Sequence, residues 1–101
     1  MLRYDFCMIG SFADAETERI WGGERSRKLP ADMQPVALRK LRLINGARVL
    51  DDLRVPPGNR LEALKGNRRG QYSIRINDQW RICFRWQEGT VHDVEIVDYH
   101  G

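Results

Sequence analysis

The sequence contains few of the residues that build metal centres and disulfide bonds. Its 101 residues include two cysteines and two histidines, and their spacing matches neither zinc ligands nor a Cys-x-x-Cys redox motif. Cys7 and Cys83 lie among apolar and aromatic neighbours, so we expect both to be reduced packing residues in a cytoplasmic protein. The composition therefore predicts no metal and no cofactor.

Long hydrophobic segments and phosphate-binding loops are also missing. No apolar run approaches the roughly 20 residues that cross a bilayer, and acidic residues interrupt the N-terminal stretch MLRYDFCMIGSFADAETERI too early for a secretory signal. The sequence has no glycine-rich loop before a helix and no serine or cysteine nucleophile motif. We expect a soluble protein without a membrane partner.

The length and charge allow one compact domain, spanning residues 1–101. The balance of 17 Lys+Arg against 14 Asp+Glu gives a net charge of only +3, which by itself is weak evidence for an anionic partner. Met8 is an alternative start, which would make residues 1–7 an upstream extension.

The first half of the chain predicts a strand followed by two helices. Residues 2–12 are mostly apolar without a helical period, which favours a strand. Asp14 is a suitable N-cap for a short helix that Gly22 and its glycine neighbour end. Residues 31–45 carry apolar side chains at helical spacing, and an Asn-Gly pair closes them. Pro35 is compatible only with the start of that helix.

The second half predicts a three-stranded meander. After a helical turn in ARVLDDLRV and an extended loop at PPG, the segments QYSIRIN and WRICFRW alternate apolar and polar residues. In the last strand the alternation groups Val91, Asp93, Glu95 and Val97 on one face. The expected fold is α+β, with two N-terminal helices packed on a small, mainly antiparallel sheet.

The polar face of this sheet is predicted to be cationic. Alternation places Arg75, Arg81 and Arg85 opposite the core-forming aromatic residues, and neighbouring strands bring them together. Like charges destabilise a sheet, so the arrangement favours a compensating anion such as a phosphate-rich ligand, which a guanidinium binds bidentately. The alternative is a solvated face on which Asp93 and Glu95 pair with these arginines.

The chain ends with Tyr99 and His100 directly after the last strand. If that strand pairs with the strand of Arg81, both side chains lie at the edge of the cationic face. Histidine exchanges protons near neutral pH, and tyrosine hydrogen-bonds phosphates or stacks on bases. The alternative is a core tyrosine with a surface hydroxyl, followed by a frayed histidine.

The segment PPGNRLEALKGNRRGQYSIRINDQWRICFRW, followed by VEIVDYH, resembles the HigB branch of the RelE-like toxins. The pattern combines Arg-Leu-x-x-Leu-Lys-Gly, a Ser-Ile-x-x-Asn-x-x-Trp-Arg hairpin and a terminal Asp-Tyr-His, and it covers the second half of the chain. The resemblance implies a compact microbial-RNase-like fold and a metal-free, ribosome-dependent mRNA endonuclease that cuts in the A site.

The resemblance also implies the site residues. Lys65, Arg81, Tyr99 and His100 match functional positions of the family, with Arg81 stabilising the transition state. Because histidine titrates near neutral pH and tyrosine far above it, His100 is the better proton-transfer group and Tyr99 the better positioning group. The residues expected to bind RNA are Arg60, Arg68, Arg69 and Arg75.

Glu62 departs from the family pattern, because some members have histidine at this position. The carboxylate either replaces the histidine as base, pairs with Lys65 at helical spacing, or indicates a slower enzyme. A plain surface salt bridge is an equal alternative.

The partners implied by the resemblance are a HigA-type helix-turn-helix antitoxin, mRNA and the small ribosomal subunit, with operator DNA reached only through the antitoxin. The sequence lacks a recognition-helix pattern of its own. Two other functions stay open: an inhibitor that binds RNA or the ribosome without cleavage, and an attenuated toxin that acts mainly within an autoregulatory complex.

Overall fold

Two helices and five strands make up the part of the chain that the computed structural model describes, residues 8–87 and 89–99. The sequence predictions for residues 1–7, including Cys7, and for His100 lie outside this part. The elements are β1 (Met8–Ile9), α1 (Ala15–Trp21), α2 (Gln34–Gly46), β2 (Glu62–Ala63), β3 (Gln71–Arg75), β4 (Trp80–Gln87) and β5 (Thr90–Asp98).

The strands form one sheet in the order β1-β5-β4-β3-β2. Strand β1 pairs in parallel with β5, and the neighbouring pairs are antiparallel. The α+β class is confirmed, but two parts of the prediction were wrong. The sheet is mixed rather than mainly antiparallel, and the helices are not N-terminal, because they follow β1 in the order of strand and helices that the first half of the sequence predicted. The connection between the parallel strands β1 and β5 contains α1 and α2 together with β2, β3 and β4.

The starts of both helices and the end of α1 follow local signals in the sequence. The Asp14 carboxylate accepts a hydrogen bond from the Thr17 backbone N–H at 2.7 Å, and α1 ends at Gly22. A 3₁₀ turn at Ala31–Met33 precedes α2, so that Pro35 falls in the first turn, where its missing N–H costs nothing. Both predicted helices are present, but the predicted closure of the second by the Asn-Gly pair was wrong, because α2 continues through Gly46 and Ala47 is its C-cap.

The core lies between the helices and one face of the sheet. The buried side chains of α1 and α2 pack against those of β3, β4 and β5, and the Thr17 hydroxyl accepts a hydrogen bond from the Ile96 N–H at 2.9 Å. The buried apolar residues are Ile20, Met33, Ala37, Leu41, Ile44, Ala47, Leu53, Ile74, Ile76, Ile82, Phe84, Val91, Val94 and Ile96.

Strand β5 departs from the predicted alternation. Arg85 pairs with His92 and Cys83 with Glu95, so that Asp93 and Val94 together oppose Phe84. Asp93 forms this bulge with a left-handed φ of 55°. The extra residue reverses the orientation of the following side chains, which is why Val91 and Val94 are both buried.

The segment before β2 is more compact than predicted. The helical turn in ARVLDDLRV is confirmed as a 3₁₀ turn at Leu50–Arg54, but the expected extended loop at PPG is a second 3₁₀ turn at Pro57–Asn59. The reason lies in Asn59, which is fully buried and whose side-chain amide donates to the carbonyls of Leu53 and Val55 at 3.1 and 3.2 Å. These bonds fold the loop back on itself.

Asp14→Ala should lower the free energy of unfolding by about 1 kcal/mol, because α1 loses its only side-chain cap among the described residues. Urea denaturation of the purified protein measures this value. Asp32→Ala is the control, since Asp32 lies in the first turn of a 3₁₀ element that has no side-chain cap bond. Equal losses in the two variants would contradict the capping role.

Candidate active site

The candidate site lies on the site face, which we define as the sheet face turned away from the helices. Residues directly opposite each other on neighbouring strands share a face, and the register aligns Glu62, Ser73, Cys83 and Glu95 in one row across β2, β3, β4 and β5. Arg81 occupies the adjacent row, between Arg75 and Val97. The polar face predicted from the alternation of β3 and β4 is therefore present.

Arg81 is the most constrained side chain of the site face. Only 6% of the residue is exposed. Its Nε donates to the Ser73 hydroxyl at 2.8 Å, and its Nη2 donates to the Arg60 carbonyl at 2.6 Å and to the Ser73 carbonyl at 3.3 Å. A buried cation requires such partners, because an unpaired charge inside a protein is strongly unfavourable. The guanidinium is consequently fixed in one orientation.

The backbone of Arg60 provides one of these acceptors through an unusual conformation. Arg60 follows the turn at Pro57–Asn59 and has φ 48° and ψ 54°, in the left-handed region. This geometry directs its carbonyl toward Arg81. Sequence analysis predicted an RNA contact for the Arg60 side chain, which is exposed, but it did not anticipate this role of the backbone.

The Tyr99 ring lies against the Arg81 guanidinium. The Cζ atom of Arg81 lies 5.2 Å from the centroid of the Tyr99 ring, within the range of a cation–π contact. The Tyr99 N–H donates to the Gln79 carbonyl at 2.6 Å, so that the chain stays paired beyond the end of β5. With 37% of its surface exposed, the tyrosine is neither a core residue nor part of a frayed end.

A cleft of about 390 Å³ opens beside Arg81. It brings together four of the side chains selected from the sequence, one of which, Glu62, also contacts Arg81 at 3.6 Å. The lining residues are Glu62, Ala63, Leu64, Lys65, Asn67, Arg68 and Tyr99. The cleft therefore combines an acidic, a basic and an aromatic side chain beside a fixed guanidinium.

Arg68 is also held by the protein. Its Nη1 donates to the Glu95 carboxylate at 3.2 Å and to the Gln71 side chain at 3.0 Å. The Arg68 and Glu95 side chains are each about one-third exposed. An ion pair this accessible to water is weak, so a phosphate group can compete for the guanidinium.

The cationic face does not need an external anion. Asp78 pairs with Arg75, Glu62 with Arg81 at 3.6 Å and Asp93 with Arg85 at 3.3 Å, while Glu95 pairs with Arg68. The bulge at Asp93 contributes to this, because it turns the carboxylate toward β4. Charge repulsion on this face therefore gives no evidence for a bound phosphate, and phosphate binding stays a prediction. Of the two carboxylates in the alternative, Asp93 pairs with Arg85 as expected, whereas Glu95 pairs with Arg68.

The predicted pairing of Glu62 with Lys65 at helical spacing is also wrong. Glu62 lies on strand β2, and Lys65 lies just before the 3₁₀ turn at Gly66–Arg68. The strand directs Glu62 toward Arg81, while Lys65 remains an exposed cation at the rim of the cleft. Neither Arg69 nor Arg75 lines the cleft, and their predicted RNA contacts stay predictions.

Sequence analysis missed Ser73 and the place of Cys83 in the site. Both are fully buried on the site face, and the alternation of β3 and β4 was sufficient to place them next to Arg81. Burial raises the pKa of the Cys83 thiol, which keeps it protonated and unreactive. Cys83 is thus the packing residue that its apolar neighbours predicted.

Comparison with protein families gives a match to the model described as RelE-like toxin of type II toxin-antitoxin system HigB, over residues 10–100. "Toxin HigB-1" of Vibrio cholerae serotype O1 is 40% identical over 84 residues, which cover 82% of this chain and 88% of the relative. An uncharacterized protein of Haemophilus influenzae is 35% identical over 71% of both chains.

A third similar protein carries a name that states an activity. "Endoribonuclease HigB" of Proteus vulgaris is 39% identical over 41 residues, which cover 41% of this chain and 45% of that relative. The family match extends across both helices, strands β2 to β5 and the residues of the cleft. The chain therefore belongs to the HigB family of RelE-like toxins of type II toxin–antitoxin systems.

Proposed function

We propose that this protein is an endoribonuclease toxin that cleaves mRNA in the ribosomal A site by metal-free attack of the 2′-OH on the adjacent phosphate. The observation that carries the proposal is the buried Arg81 guanidinium, fixed beside a cleft that also contains Glu62, Lys65 and Tyr99. Such a reaction needs positive charge where the pentacovalent phosphorane forms, and a preorganised cation supplies it without reorganisation.

Arg81 and Lys65 supply the charge that stabilises the phosphorane. The Nε of Arg81 donates to the Ser73 hydroxyl and its Nη2 to the Arg60 carbonyl, and the same Nη2 lies 3.6 Å from the Glu62 carboxylate, longer than a good hydrogen bond. An incoming phosphate oxygen can therefore replace the carboxylate with a charge-assisted hydrogen bond. Lys65 contributes a second cation from the exposed rim.

Glu62 is the proposed general base. Its side chain is half-exposed, lines the cleft and reaches the guanidinium that will hold the phosphate. A carboxylate displaced from Arg81 by the substrate lies next to the scissile phosphate, where it can accept the 2′-OH proton. His100 then serves as the acid for the 5′-oxygen, and the Tyr99 ring positions the nucleotide by stacking.

Membership of the HigB family also supports the proposed partners. A toxin of a type II system pairs with an antitoxin, and we propose a HigA-type helix-turn-helix protein that carries the toxin to operator DNA. The substrate is mRNA bound to the small ribosomal subunit, so the protein works in the cytoplasm. No helix in residues 8–87 or 89–99 is long and apolar enough to cross a membrane.

One observation favours a second candidate, a toxin that blocks the ribosome without cleaving or that cleaves only slowly. The Arg81 side chain is 8% exposed, and protein groups already occupy its Nε and Nη2 donors. If no phosphate can displace Glu62, the site binds RNA through Lys65 and Arg68 without stabilising the phosphorane. Inhibition of translation would then leave the message intact.

Mapping message ends after expression distinguishes the two candidates. The wild-type protein should produce new 3′ ends within codons of translated messages, and Arg81→Lys should reduce them by roughly a hundredfold or more, as loss of one preorganised donor does elsewhere. Lysine keeps the charge but loses the planar fork, so this variant disturbs the fold less than Arg81→Ala, which would leave Ser73 and Arg60 without their donor.

Arg85→Lys is the matched control for this experiment. Arg85 lies on the same strand and faces the same side, but it pairs with Asp93 and lies outside the cleft. Cleavage by this variant should stay close to wild type. Arrested growth with intact messages would support the non-cleaving candidate, and equal cleavage by wild type and Arg81→Lys would contradict the role of Arg81.

Glu62→Gln should slow single-turnover cleavage by roughly a hundredfold, the usual contribution of a general base, without weakening RNA binding, because the amide no longer competes for Arg81. Glu62→His should recover much of the rate, since imidazole is a competent base near neutral pH. Glu95→Gln is the control, because it removes a carboxylate paired with Arg68 rather than Arg81. A Glu62→Gln variant that cleaves at the wild-type rate would exclude the base role.

A further inference from the structure

Helix α2 carries a buried lysine that neither the core nor the cleft explains. Lys40 is 8% exposed, and its ammonium donates to the Oδ1 atom of Asn59. This neutral amide is its only hydrogen-bond partner among the described residues, and no carboxylate within residues 8–87 or 89–99 lies within 4 Å of it. A cation in such a place costs free energy.

The surroundings of Lys40 increase that cost. Burial, followed by the nearby positive charges of Arg39 and Arg75, lowers the pKa of Lys40. A methionine would fill similar space without a desolvation penalty, so packing alone does not account for the lysine. Its contribution lies in the hydrogen bond that it donates to Asn59.

Asn59 connects Lys40 to the loop before β2 through hydrogen bonds. Its Nδ2 donates to the carbonyls of Leu53 and Val55, and its Oδ1 accepts a hydrogen bond from Lys40. Both polar atoms of the Asn59 side chain are therefore hydrogen-bonded. Asn59 is fully buried, and its backbone N–H closes the turn by donating to the Pro56 carbonyl at 2.9 Å. Replacing either partner leaves buried polar groups unsatisfied.

The loop ends at the residue that holds Arg81. Arg60 directly follows Asn59, adopts the left-handed conformation and presents its carbonyl to the Arg81 guanidinium at 2.6 Å. A non-glycine residue keeps this conformation only when its surroundings enforce it. The bonds from Lys40 to Asn59 and from Asn59 to the loop carbonyls provide that enforcement.

We propose that Lys40 and Asn59 are positioning residues for Arg81: they lock the turn at Pro57–Asn59, and through the Arg60 carbonyl they fix the orientation of the guanidinium on the opposite side of the sheet. This inference rests on the proposed function for its catalytic consequence. Its structural part, the orientation of Arg81, is independent of any activity.

The test compares Lys40→Met with Gln34→Met, a matched control on the same helix. Gln34 is also a buried polar residue that ties down a loop, through hydrogen bonds with Ser26 and Leu29, but that loop joins α1 to α2 and does not contact Arg81. Both substitutions remove side-chain hydrogen bonds with little change of volume. Comparable losses of stability are expected.

Two readouts separate positioning from general stability. The first is the NMR signal of the Arg81 Nε–H, whose bond to Ser73 should protect it from exchange in wild type and in Gln34→Met, but less in Lys40→Met. The second is single-turnover cleavage of a defined message on ribosomes. There the rate constant at saturating protein should fall roughly tenfold to a hundredfold in Lys40→Met, while the protein concentration that gives half of this rate stays nearly unchanged, as expected when a catalytic group is misplaced.

Unchanged Arg81 exchange in Lys40→Met, or equal effects of both substitutions on that signal, would overturn the inference. If Lys40→Met does not fold, Asn59→Asp provides the same comparison, since it keeps an acceptor for Lys40 and removes the donors to Leu53 and Val55. Absence of cleavage by the wild-type protein would refute the proposed function, and the NMR comparison would then decide the positioning alone.

Discussion

The arrangement of the site depends on the desolvation of one charge, the guanidinium of Arg81. Because burial of a cation is costly, its hydrogen bonds to Ser73 and Arg60 offset a penalty and contribute little net stability. Their contribution is to fix the orientation of the Arg81 guanidinium. The sheet register, the left-handed Arg60 and the continued pairing of Tyr99 all serve to complete the surroundings of this one group.

The positive charges of the site face are also paired within the protein. The arginines of the site face have carboxylate partners, and these pairs range from exposed to nearly buried. A substrate must therefore displace Glu62 from Arg81 and Glu95 from Arg68 before its phosphates bind. Such displacement requires binding energy, which under the proposed function comes from contacts with the ribosome outside the cleft.

Local signals in the sequence were sufficient to predict the helices and the meander. Asp14, Gly22 and Pro35 act on neighbouring residues, and their effects follow from backbone chemistry alone. The parallel pairing of β1 depends on contacts between residues distant in sequence. The bulge at Asp93 allows both Val91 and Val94 to be buried in the core, which local sequence signals do not indicate. Resemblance to a family selected four side chains that line one cleft, Glu62, Lys65, Arg68 and Tyr99, and their roles stay predictions. It could not reveal that a strand turns Glu62 toward Arg81.

The central claim is that Arg81 is oriented by the protein and that substrate phosphate replaces only its Glu62 contact. The most direct measurement is a structure of the protein on a ribosome whose message carries a 2′-O-methyl group at the cleaved nucleotide, which blocks attack. The guanidinium should keep its bonds to Ser73 and Arg60, with a phosphate oxygen between it and Lys65 and with Glu62 turned to the 2′-oxygen. A phosphate bound elsewhere, with the Arg81–Glu62 pair intact, would contradict the claim.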